Sequence, residues 1–303
     1  MEKKIKHRVI EHIFFSNFFI GIMALGLSFE TNIKMGLPLN AWDFYAFIFS
    51  ISILFYLFAY NVPINLAQSS NIRTQYYINQ RIPIIWFNII LYLVAICSGL
   101  SILIKSWNHL WNLDVIHYLI LGVTLTLSTS YYNWKFGLSL RKYTWFKPTL
   151  IAWTWAIISV YFPVLMLQLE DGKPFEVDAR FYFLFSQTFM YFIVNAIMFD
   201  MKDFEDDSNR NIKTFVVRYG YKKTLYRIIY PLIILGFISF ITFGIWYDLP
   251  WHRTILMLFP ILLLFYFAVR LNRPKSILYY LIAIDGLIVI KAIFGILSVL
   301  LFE

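Results

Sequence analysis

The residues best placed to do chemistry fall in one stretch: Asp200, Asp203 and Asp207, with Lys202, Arg210, Lys213 and Arg218 among and after them. Residues 200–207 hold five of the chain's 17 acidic side chains and directly follow the apolar run 181–199. At about 100° per residue the three aspartates lie within roughly 60° of one another, so a helix continued through them would aim three carboxylates along one stripe. Hard divalent cations take oxygen ligands and are usually held by one or two carboxylates plus substrate phosphates. The nearby cations would suit the phosphate side of such a bridge, so the spacing points to a metal-bridged diphosphate. A solvated loop of mixed charge is the competing reading.

The order Asp200-x2-Asp203-x3-Asp207-x3-Asn211-Ile212-Lys213-Thr214, with Val217-Arg218-Tyr219-Gly220 after it, resembles the second aspartate-rich motif of the UbiA superfamily of intramembrane prenyltransferases. That family has Gly where this chain has Asn211, a mild change because Asn is enriched among non-glycine residues at positive φ. The family's first motif reads Asn-x3-Asp-x3-Asp with an Arg four residues further on. Here Asn61 and Arg73 match, while Asn65 and Ser69 stand at the two acidic positions. Asn61, Asn65 and Ser69 share a helix face. Their oxygens can ligate Mg2+ or accept hydrogen bonds, but they add no negative charge. Hydrogen bonding between membrane helices is the alternative use of such residues. The loop 140–148, with Arg141 and Lys142, is similar to the basic loop before the family's fifth helix. Its charges would clamp a diphosphate, or serve orientation alone.

These residues need elements to hold them, and the composition says which. The chain has 303 residues, 60% hydrophobic and 20% aromatic, and only 14% charged. That excludes an ordinary soluble domain and indicates an all-α polytopic membrane protein. Crossing a hydrocarbon core of about 30 Å takes roughly 20 apolar residues. Such runs are predicted at 12–30, 44–66, 84–104, 114–132, 149–168, 180–199, 226–246, 252–270 and 277–301, a bundle of about nine transmembrane helices. Pro63, Pro163, Pro231 and Pro260 lie in or beside these runs, where kinks are tolerated.

Net charge is +9, yet the basic residues do not cluster as a nucleic-acid surface. Twenty of the 26 Lys and Arg fall in alternate segments (1–13, 68–83, 132–148, 200–227, 270–276). That bias predicts a cytoplasmic N-terminus and an outer C-terminus, with Lys34, Lys105, Lys173, Arg180 and Arg253 outside. The basic N-terminus lacks a small-residue cleavage site and reads as a retained first helix. The lone Cys97 excludes an internal disulfide. No histidine pair has metal-ligand spacing. Asp285 is an ionisable group at apparent membrane depth, out of helical phase with Lys291. Asn195, one turn before Asp200, would face the same cavity or pack against a helix. No linker divides the chain, so residues 1–303 read as one domain.

The resemblance implies a bundle around a central cavity and a multi-pass protein of the inner cell membrane. It further implies Mg2+ as cofactor, with an isoprenyl diphosphate and a small acceptor as partners in membrane lipid. It casts Asp200, Asp203 and Asp207 as catalytic metal ligands, and Asn61, Asn65, Arg73, Arg141, Lys142 and Lys213 as the diphosphate-binding set. Two other readings stay open. One is a catalytically impaired protein of this fold that binds lipid diphosphate or assists a partner enzyme. The other is a transporter with an acidic cytoplasmic mouth.

Overall fold

The computed structural model of the chain describes residues 10–59, 72–130, 143–172, 174, 177–209, 212–273 and 275–302. Every regular element among them is helical. In chain order come α1 (Phe18–Lys34), α2 (Trp42–Ala59), the short α3 (Ile72–Asn79), α4 (Arg81–Lys105) and α5 (Val115–Ser130). There follow α6 (Phe146–Asp171) and α7 (Ala179–Asp200). Two short helices come next, α8 (Phe204–Asn209) and α9 (Phe215–Tyr219). The chain closes with α10 (Tyr221–Trp246), α11 (Trp251–Arg270) and α12 (Ile277–Leu300).

A helix thus lies across each of the nine apolar runs, and six of these helices are long and apolar enough to cross a bilayer. The chain is an all-α multi-pass membrane protein. The first run differs from expectation: residues 10–15 are helical, but Asn17 has φ 63° and the long helix starts only at Phe18. Asparagine is one of the few side chains that accepts this left-handed geometry.

Contacts divide the chain into two compact units, residues 1–25 with 40–111, and residues 26–39 with 112–303. In the first unit Ile53, Leu54 and Leu57 of α2 bury against Leu91 of α4. At the far end of the same pair, Asp43 accepts from Ser101 at 2.7 Å and from Lys105 at 2.6 Å. The rest of α4 exposes Ile82, Trp86, Ile90 and Leu93, a face that hydrocarbon would cover.

In the second unit aromatic stacking sets how the helices lie. Trp155 of α6 stacks on Phe192 of α7, with ring centroids 4.9 Å apart and planes within 5°. Phe183 of α7 stacks on Phe243 of α10 at 3.7 Å. Three helices carry a single π-helical stretch: 157–161 in α6, 225–229 in α10 and 280–284 in α12. Two of these immediately precede a proline pair position, Phe162-Pro163 and Tyr230-Pro231. Proline has no N–H to donate, so Pro163 leaves the Ser159 carbonyl without its helical donor, and Thr31 Oγ1 supplies one at 2.7 Å. In α12 the π stretch frees the Ile284 carbonyl, which accepts from Asn195 Nδ2 at 2.9 Å. Tyr191 donates likewise to Leu287 O at 3.1 Å. In hydrocarbon the Ser159 and Ile284 carbonyls need such a partner. Asn195 is therefore committed to packing α7 on α12. Pro260 lies inside α11 without interrupting it, and Pro63 lies outside the described residues.

Candidate functional site

The aspartate stretch is not a continued helix. α7 ends at Asp200, residues 201–203 form a turn, and α8 starts at Phe204. Backbone bonds from Asp203 N to Asp200 O (3.1 Å) and from Asp207 N to Asp203 O (2.8 Å) tighten this junction. The turn draws Asp200 and Asp207 together rather than leaving three carboxylates in a row. Asp203 instead pairs with its neighbour Lys202 at 3.0 Å, whose ammonium also sits 4.7 Å above the Phe199 ring.

Asp200 and Asp207 converge on one side chain, Lys147 at the start of α6. Its Nζ lies 2.8 Å from Asp200 Oδ1 and 2.8 Å from Asp207 Oδ2. All three residues are buried, at 8%, 4% and 6% exposure in the order Lys147, Asp200, Asp207. The stacking of Trp155 on Phe192 brings α6 alongside α7, and Trp145, two residues before Lys147, packs edge-on against Phe215 at 4.6 Å. Phe215 and Val216 are fully buried and anchor the return segment below the aspartates. Thr214 caps α9 through Val217 N, and Gly220 ends it at φ 78°, a left-handed turn that glycine adopts without strain. Thr224 Oγ1 then ties the segment back to Phe215 O at 3.1 Å.

One ammonium against two buried carboxylates leaves the cluster net negative. Asp200 Oδ2 is buried with no hydrogen-bond partner among the described residues. An oxygen in that state is costly unless a donor or cation meets it. Among the described residues no three His, Cys, Asp or Glu side chains already form a metal-binding group. The arrangement is a pair of hard oxygen donors around a protein cation, which fits an ion held by one or two carboxylates with phosphate completing its shell. Asp200 and Asp207 are the residues that could hold it.

The other residues singled out from the sequence are placed as follows. Lys213 is exposed, on the short link between α8 and α9. Arg73 belongs to the first unit, where it is buried and donates to the Asn17 side chain. Asn61, Asn65, Ser69, Arg141, Lys142, Arg210 and Asn211 lie outside the described residues. Lys147 was not chosen from the sequence, although its position was a usable signal: it is the last cation of the basic loop, followed by Pro148 and an apolar run. Asp285 closes the π stretch of α12, and Lys291 finds its partner in Glu30 at 2.8 Å, a residue that sequence reading passed over.

Comparison with known families identifies the class. The UbiA prenyltransferase family matches residues 84–277, and the chain belongs to that family. The matched region contains Lys147 and the whole aspartate stretch, and it starts after the Asn61 to Arg73 segment. No curated protein and no solved structure matches the chain. Membership in this family implies an intramembrane prenyltransferase.

Proposed function

We propose that this protein transfers an isoprenyl group from an isoprenyl diphosphate to a small acceptor, with Mg2+ held at Asp200 and Asp207 and with Asp203 at the rim. The observation that carries the reading is the buried Lys147 bridge between Asp200 and Asp207, inside the family-matched region. Mg2+, when bound, would supply positive charge to the leaving diphosphate. Asp200 and Asp207 would orient it by their carboxylates, and Lys147, released from one of them, would donate to the diphosphate oxygens. Lys213 and the basic loop Arg141-Lys142 would add positive charge around the same leaving group.

In the reaction the C1–O bond of the donor breaks and its electron pair leaves with pyrophosphate. The acceptor forms a bond to C1 and loses a proton. Apolar walls would keep water from the allylic cation. A second reading has its own observation: Asn65 and Ser69 stand where the family's first motif carries acids, which favours a protein that binds lipid diphosphate without turning it over.

The test is incubation of purified protein with labelled farnesyl or geranylgeranyl diphosphate, Mg2+ and a panel of acceptors. Asp200→Asn and Asp207→Asn are expected to lower pyrophosphate release by a factor of about 100 or more, the scale of losing a charge-stabilising group. Tight diphosphate binding with no release from the unaltered protein would support the second reading instead.

A further inference from the structure

About 20 Å along α7 from Asp200, at 1.5 Å per residue, the second unit holds another cluster of charge. Glu30 Oε1 lies 2.6 Å from Lys34 Nζ and Glu30 Oε2 lies 2.8 Å from Lys291 Nζ. Glu30 is 1% exposed and Lys291 3%. Gly295 makes the room: a methyl group there would sit 2.7 Å from Glu30 Cδ, well inside contact distance. One carboxylate faces two ammonium groups, the buried Lys291 and the part-buried Lys34, so the triad carries a net positive charge. An uncompensated charge at this depth is costly, and an anion beside it would relieve that cost.

Residues of the triad line two pockets. The two pockets share Lys34, Gln187 and Met257 in their linings. The larger has an empty volume of about 440 Å³, mouth included. The linings include Lys34 and Lys291 with the carboxylate of Glu30, together with Arg253 and with Arg180, whose guanidinium pairs with Asp178 at 2.6 Å. The walls below are apolar, with Phe183, Phe240 and Phe243. Gln187 Oε1 is buried with no hydrogen-bond partner among the described residues, an acceptor waiting for a hydroxyl or water.

The level of the pocket indicates its occupant. It lies where α10 ends and α11 begins, with Tyr247 in its lining. Trp246 and Trp251, on either side of that turn, are 70% and 74% exposed. Exposed tryptophans at helix ends mark the depth of lipid head groups, and basic pockets between membrane helices suit phosphate head groups. Guanidinium groups match phosphate oxygens in pairs. We propose that this pocket binds the phosphate of an anionic phospholipid, with acyl chains along the Phe183 and Phe243 wall. The charge bias of the loops would put it in the outer leaflet, opposite the aspartate site, and it stands independently of prenyl transfer.

The test uses full-length protein in a neutral detergent, with lipid retention followed by native mass spectrometry and protection followed by thermal unfolding. Phosphatidylglycerol, phosphatidylcholine and inorganic phosphate are the probes. The unaltered protein is expected to hold phosphatidylglycerol at least tenfold more tightly than phosphatidylcholine, with inorganic phosphate giving no protection. Arg253→Gln should reduce that preference severalfold, and Arg253→Gln with Lys34→Gln should abolish it, while elution as a single species shows that each variant folds. Equal retention of the two lipids, an unchanged preference in both variants, or protection by inorganic phosphate equal to that by lipid would overturn the proposal.

Discussion

Lys147 Nζ sits 2.8 Å from Asp207 Oδ2, a contact between residues 60 positions apart that joins the start of α6 to the short helix after α7. The same ammonium reaches Asp200, so one buried cation holds the acidic cluster together.

Removing that cation should expose the cluster's charge. Lys147→Met leaves two buried carboxylates facing each other, and the expected loss of stability is about 3–5 kcal/mol, the scale for breaking a buried ion pair by one partner. If the two carboxylates also take a divalent cation, millimolar Mg2+ should raise the unfolding temperature of Lys147→Met more than that of the unaltered protein. Equal shifts in a thermal scan would count against a cation site at Asp200 and Asp207.

The family's first motif offers a gain-of-function test. Asn65→Asp with Ser69→Asp restores the two acids, adding negative charge that amide and hydroxyl oxygens do not supply. Mg2+-dependent pyrophosphate release is expected to rise in the double variant. An unchanged rate would show that neutral oxygens suffice at those positions.

The triad of Glu30, Lys34 and Lys291 should behave as a unit. Glu30→Gln leaves the buried Lys291 and the part-buried Lys34 without their counter-charge, with an expected cost of about 3–5 kcal/mol. Adding Lys291→Met to Glu30→Gln should recover part of that loss, because coupled neighbours are not additive. Unfolding measurements on the two single variants and the double variant read the coupling directly, and strict additivity would mean the pair contributes nothing.

Asp178 gives a pH dependence outside the membrane segments. It caps α7 by accepting from Phe181 N at 3.1 Å, and it pairs with Arg180 at 2.6 Å. Partial burial pushes its carboxyl up, but the Arg180 and backbone hydrogen bonds outweigh this and hold it below its ordinary value of 3.8. A carboxyl lowered in the folded state stabilises fully above the unfolded value and loses that contribution as pH falls through the folded one. Asp178→Ala should cost about 1 kcal/mol, the usual worth of such a cap. The difference from the unaltered protein should shrink as the pH is lowered below 3.8. A gap that is constant with pH in unfolding scans would contradict the cap's role as an ionised group.

Much of the fold was legible in the chain because membrane crossing depends on a local quantity, the run of apolar residues against the thickness of hydrocarbon. All nine runs carry helices, and the largest departure, the late start of α1, traces to Asn17 and its positive φ. The π stretches were not legible. Those of α6 and α12 are compensated by Thr31 and Asn195, donors that lie far away in sequence.

The sequence by itself determined an all-α membrane protein and singled out the aspartate stretch by residue type and spacing. Only the tertiary structure decided which charges meet: Lys147 with Asp200 and Asp207, and Glu30 with Lys291 across 261 positions. Helical phase relates residues one or two turns apart on one helix. Which helices pack together, and at what height, is set by ring stacking and close glycine contacts between elements, and that packing alone places a lysine beside a carboxylate on another helix.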